Sequence, residues 1–173
     1  MDYPPAPQRT TPGFSFSIVQ RCLRDCIAER RFGKAEMEEV VAFFGAAECV
    51  YCGATPIQRW DHLVAVSKGG DTVLGNVVPA CSRCDDSKRD MPFAEWALSA
   101  APGSPHSRGV PDVEQRLERI TDYAAHYEYL PALPTERLTK EELQQWERIE
   151  EDLARLRADV DRFLELHRER RAT

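Results

Sequence analysis

Four cysteines, an Asp-His dipeptide, an asparagine and a further aspartate lie within residues 49–85, and their types and spacing narrow the chemistry. Cys49 and Cys52 form one Cys-x-x-Cys pair, Cys81 and Cys84 another, with 28 residues between the pairs. Each such turn can aim two thiolates at one ion about 2.3 Å away, and two turns complete a tetrahedron. Gly53 follows the first pair, where a tight knuckle turn brings backbone amides toward sulfur. The doubled spacing predicts one zinc ion held by all four thiols. Such an ion has no open position, so it is structural and the chemistry lies elsewhere.

Asp61, His62, Asn76 and Asp85 lie at or between the two pairs. Hydrolysing a phosphodiester needs an activated water, charge stabilisation on the phosphoryl oxygens and help for the departing oxygen. A neutral imidazole, with an ordinary pKa of about 6.5, can take the proton of water near neutral pH. A divalent ion held by one or two carboxylates keeps positions open for phosphate. Adjacent residues on a regular strand point to opposite faces, so a strand end or bulge must turn Asp61 or His62. Singly, each residue has a plainer reading. Asn76 suits a turn, and Asp85 and Asp86 suit the dipole of a helix start.

In combination, residues 48–98 resemble the HNH endonuclease family with its ββα-metal fold. The resemblance rests on "CVYCG", "WDHLVAVSKGGD", "GNVVPAC" and "CSRCDDSK", with Asn76 14 residues after His62 and Asp85 nine after Asn76. "MPFAEW" is similar to the proline-to-tryptophan segment that often follows. The resemblance implies metal-dependent cleavage of DNA, leaving 5′-phosphate and 3′-hydroxyl ends. It makes His62 the general base and Asp61 a ligand of a catalytic magnesium or manganese ion. Asn76 then pins the strand-to-strand loop and orients the histidine. Asp85 stands where the family has a histidine or asparagine as second ligand; a carboxylate suits the same hard cations, and Asp86 is the alternative. Lys68, Arg83, Lys88 and Arg89 are candidate phosphate contacts, with solvated charges as the plain alternative. His106, His126 and His167 read as surface residues. The rival reading is a catalytically inactive zinc-stapled module that binds nucleic acid or protein. RNA stays open beside DNA as the substrate.

The net charge of −6 does not suggest a nucleic-acid binder. The acidity is concentrated, however: residues 100–173 hold 16 acids against 12 bases, residues 49–99 only six against five. No apolar run approaches a membrane span. The opening "MDYPPAPQRTTPG" lacks the apolar core of a secretory signal. The expectation is a cytoplasmic, reducing compartment, no membrane, and thiols or metal ligands rather than disulfides.

Residues 1–14 read as a flexible tail. Residues 15–31 set Ile18, Val19, Cys22, Leu23, Cys26 and Ile27 at helical spacing with Gly33 as a stop, so Cys22 and Cys26 read as buried small hydrophobes, with half a metal site as the alternative. A second helix carries Met37, Val40, Val41 and Phe44. "WDHLVAVS" and "LGNVVPA" read as strands joined through "KGGDT", "SRCDDSKRD" as a short helix, and Pro92 opens another at "FAEWAL". "AAPGSPHSRGVP" reads as a linker. Val113, Leu117, Ile120, Ala124 and Tyr127 form one helical line. A last helix, with Thr139 and Glu142 as capping box, carries Trp146, Ile149, Leu153, Leu156, Val160 and Phe163. The expected fold is α+β: a zinc-stapled ββα-metal core over 48–99, N-terminal helices over 15–47, and a helical hairpin or coiled coil over 112–171. The last of these leaves room for a homodimer or protein partner, and on a third reading the helical C-terminus is the working part, with the nuclease fold as its scaffold.

Overall fold

Valine and phenylalanine recur on one face of the segment Lys34–Phe44, which forms helix α2 with Val40 and Phe44 buried. Gly33 caps its start, its amide donating to Glu36 at 2.7 Å, and Gly45 ends it in the left-handed region. In the computed structural model, which describes residues 11–172, α2 follows helix α1, Pro12–Ile27. The flexible tail expected for residues 1–14 lies, for residues 1–10, outside the described residues. Strands β1 (Arg59–His62) and β2 (Val77–Ala80) come next, then helices α3 (Ser82–Lys88), α4 (Phe93–Leu98), α5 (Val113–His126) and α6 (Lys140–Ala172). The fold is α+β with a two-stranded antiparallel sheet, in which Asp61 pairs with Val78 and His62 with Val77.

The chain divides into two compact units. The larger, residues 27–136, holds the sheet and the four cysteines. Its core joins Val40 and Phe44 of α2, Tyr51, Val78 and Ala80, Trp96 of α4, and Ile120 and Tyr123 of α5. The Tyr123 hydroxyl donates to Val77 O at 3.0 Å, tying α5 to β2. The apolar line of α5 is the one read from the sequence, and it meets this core. Periodicity shows that a face is buried and not what buries it.

The smaller unit comprises α1 and residues from 137 onward. Gln20 of α1 donates to Glu150 of α6 at 3.1 Å. The capping box of α6 forms as expected: Thr139 N donates to Glu142 Oε2 at 2.8 Å and Glu142 N to Thr139 Oγ1 at 3.3 Å. Along α6, Trp146, Ile149, Leu153 and Val160 are half-buried, whereas Leu156 and Phe163 are 53% and 65% exposed. Cys22 and Cys26 correct the sequence reading, because both are exposed and α1 buries no residue fully. Gly33 does not stop α1 either. That helix ends at Ile27, and the residues after it are taken up by a bridge between Arg30 and Thr72.

Candidate active site

The two knuckles meet beside the end of β2, where Val50 N donates to Pro79 O at 3.0 Å. Gly53 N donates to Cys49 O at 2.7 Å, closing the first turn, and Gly53 sits at φ 72, where glycine is unstrained. Cys81 follows β2 and leads directly into α3, which carries Cys84. The four sulfurs lie within 4.8 Å of one another, and Cys52 Sγ is 3.8 Å from Cys81 Sγ and 3.6 Å from Cys84 Sγ. A tetrahedron with bonds of about 2.3 Å has edges of about 3.8 Å, so the donor set fits zinc in both chemistry and size. Among the described residues no other group of three or more His, Cys, Asp or Glu could hold a metal ion.

The Asp-His pair sits at the end of β1, with no bulge in the register. It is the strand end, not a bulge, that frees His62. Its Nε2 lies 2.9 Å from Thr72 Oγ1 in the inter-strand loop. Thr72 is itself held on both backbone sides: its amide donates to Glu29 O at 2.8 Å and its carbonyl accepts from Arg31 N at 2.9 Å. The chain between α1 and α2 thus clamps the loop that positions the imidazole. Phe32 of the same segment stacks edge-on against Trp60, with ring centroids 5.2 Å apart.

Asn76 is fully buried and spans the loop. Its Oδ1 accepts from Val64 N at 2.8 Å, and its Nδ2 donates to Val64 O at 3.1 Å and Asp71 O at 2.7 Å. Gly70 lets the chain close against this pin, since a Cβ there would come within 1.7 Å of Val64 O. Asn76→Ala leaves one backbone amide and two carbonyls without that partner. We expect it to destabilise the protein by about 3 kcal/mol, read as a lowered midpoint in urea unfolding with zinc content unchanged.

Asp61 is buried, whereas His62 beside it is half-buried. Tyr51, inside the first knuckle, donates its hydroxyl to Asp61 Oδ2 at 2.6 Å, and Lys88 Nζ lies 3.3 Å from Oδ1. Burial pushes the Asp61 carboxyl up to about 6; Lys88 and the Tyr51 hydroxyl pull against that rise, and nearby Asp85 adds to it. Burial also drives the Tyr51 hydroxyl well above its ordinary range, so it remains a donor. Asp85 is more open, with 29% of its side chain exposed and Arg59 Nε at 3.8 Å.

Lys88 departs from the expected phosphate contact. It is fully buried, and its ammonium is spent on Asp61, on His62 O at 2.7 Å and on Arg89 O at 3.5 Å. It braces α3 against the end of β1 from inside. Arg83, Arg89 and Asp86 are exposed, and Lys68 reaches Asp90 at 3.9 Å. Tyr51, Thr72 and Arg108, which reaches Cys84, escaped the sequence reading because each is recruited by the fold rather than by a motif.

Residues 49–90 match the model of the HNH endonuclease family. The CRISPR-associated endonuclease Cas9 of Actinomyces naeslundii is 32% identical over 108 residues, which is 60% of this chain and 9% of that protein. The Cas9 of Corynebacterium diphtheriae is 37% identical over 59 residues, 31% of this chain and 5% of that protein. The chain therefore spans less than a tenth of the curated relatives it matches. No solved structure matches it significantly. These likenesses, with the geometry above, support a nuclease-type function. No helix among the described residues is long and apolar enough to cross a membrane.

Proposed function

We propose that this chain carries a metal-dependent endonuclease site that hydrolyses DNA phosphodiester bonds, stapled by a structural zinc on Cys49, Cys52, Cys81 and Cys84. The observation that carries the reading is the fixed imidazole: His62 ends β1, held through Nε2 to Thr72 at 2.9 Å, in a loop pinned by Asn76. A histidine held in one orientation can take the proton from an attacking water without first paying to order its ring. Asp61 and Asp85 offer hard oxygen donors of the kind magnesium and manganese take, and Asp61 already accepts one cation, the Lys88 ammonium. A magnesium or manganese ion bound there would stabilise charge on the phosphoryl oxygens and the leaving oxygen. Lys88 meanwhile pulls against the rise that burial gives the Asp61 carboxyl and donates to the backbone of His62, so one ammonium braces both the proposed ligand and the proposed base. Exposed Arg83 and Arg89, with Lys68, are suited to meet the substrate backbone.

The test is a supercoiled plasmid incubated with the protein and magnesium, manganese, nickel or cobalt in turn. Nicked or linear product with at least one ion is expected. Asp85→Ala should raise the ion concentration needed for half-maximal cleavage, and Asp86→Ala should leave it unchanged. A larger effect from Asp86→Ala moves the second ligand by one residue. Intact single- and double-stranded DNA and RNA with every ion would refute the nuclease reading in favour of an inactive binding module.

A further inference from the structure

Residues 100–111 read as a linker by composition, yet most of them, with Ser99, are folded into a hydrogen-bonded cap. Ser104 and Pro105 are buried. Ser104 Oγ donates to Ser99 O at 2.7 Å and accepts from Ser107 N at 3.1 Å. Ser87 of α3 donates to Pro102 O at 2.7 Å and accepts from the Trp96 indole at 2.9 Å, fastening the cap to both neighbouring helices. Gly103 is needed for this approach, because at φ +94 a Cβ would meet the Ser87 side chain at 2.9 Å. The outcome is a defined place for one residue. Arg108, its Nε donating to Ser104 O at 3.3 Å, brings Nη2 to 3.0 Å from Cys84 Sγ.

We propose that Arg108 is an outer-sphere partner of the zinc site, whose guanidinium offsets the charge of the thiolates and slows loss of the ion. Four thiolates around a divalent cation leave a doubly negative centre, and Cys49, Cys81 and Cys84 are buried. Burying such charge without compensation is costly, and a cationic N–H donor directed at sulfur reduces that cost. It also draws electron density from the sulfur that a proton or electrophile must attack to open the site. Arg108 lies beyond residues 49–90, so the cap brings to the zinc a contact from outside the matched HNH segment. This inference rests on the four cysteines holding zinc and is independent of catalysis.

The experiment follows zinc transfer from the full-length, zinc-loaded protein to an excess of a chromophoric chelator. Outer-shell partners typically change metal affinity by about 10- to 100-fold. Arg108→Ala and Arg108→Gln should both release zinc at least about tenfold faster than wild type, with unchanged circular dichroism in the loaded state. Arg108→Lys, which keeps the charge, should stay much closer to wild type. Alkylation of the loaded cysteines should accelerate in the same order. Should the alanine variant not fold, the glutamine variant, with a similar stem and a retained donor, decides. Wild-type release rates in Arg108→Gln would overturn the proposal, as would lysine releasing zinc as fast as alanine. Wild-type protein purified free of zinc would instead overturn the metal reading beneath it, a distinguishable result.

Discussion

Replacing His62 with alanine is expected to lower cleavage by at least about a hundredfold, the usual scale for losing a general base. Fold and zinc content should not change. His62 is half-buried at the end of β1 and is absent from the core, and its ring contact with Thr72 lies in the loop rather than beneath the sheet. Because only neutral imidazole accepts a proton, the wild-type rate should rise with pH through the range in which histidine titrates, and the residual rate of the variant should lose that rise. Asp61→Ala gives a different signature. It strands the Lys88 ammonium without its carboxylate in a fully buried position, so stability falls together with activity. A His62→Ala protein that cuts as fast as wild type would remove the histidine from the mechanism.

The second large effect is on the fold. Cys81→Ser should abolish tight zinc binding and with it cooperative unfolding, since the binding free energy of a closed thiolate site, about 10–16 kcal/mol in small zinc peptides, is spent on folding. Cys81 occupies the junction where β2 passes into α3, so its loss unties the helix that carries Cys84, Asp85 and Lys88. Serine is nearly the same size, which keeps the substitution from acting through a cavity. Elemental analysis should find about one zinc per wild-type chain and far less in the variant. A strong chelator should reproduce the variant's loss of cooperative unfolding in the wild type. A metal-free protein with an intact, cooperative melt would show that the cysteines are packing residues only.

The site's skeleton was legible because coordination geometry and the strand–loop–helix register restrict spacing. Cys49, Cys52, Cys81 and Cys84 announce themselves by their doubled interval, and Asn76 by its distance from His62. Their surroundings were less legible. Lys88, near the end of a short helix, has the look of a solvated charge, and only the approach of α3 to β1 turns it inward. Arg108 sits in a stretch rich in glycine, proline and serine, a composition shared by linkers and by tight caps. The two kinds differ in whether the serines find partners, as Ser87, Ser99 and Ser104 do here. The faces of α1 and α5 were visible as periodicities, but periodicity carries no address. The structure alone shows that Cys22 and Cys26 are exposed and that α5 packs on the core around the sheet.

The loop beside His62 is fastened from both directions along the chain, and this sets an order of events during synthesis. Asp71 Oδ1 accepts from Glu29 N, 42 residues earlier, and Asp71 N donates to Tyr129 OH, 58 residues later. A growing polypeptide can make the first tether as soon as the strand pair has emerged, but the second must wait until α5 and its trailing tyrosine have left the ribosome. Contacts between such distant partners are the slow ones to form, because the intervening chain must be closed before they repay its entropy. A nascent chain halted before Tyr129 thus presents its histidine on a loop lacking one of its anchors. On the proposed function, the fully anchored histidine loop is among the last features the newborn protein completes.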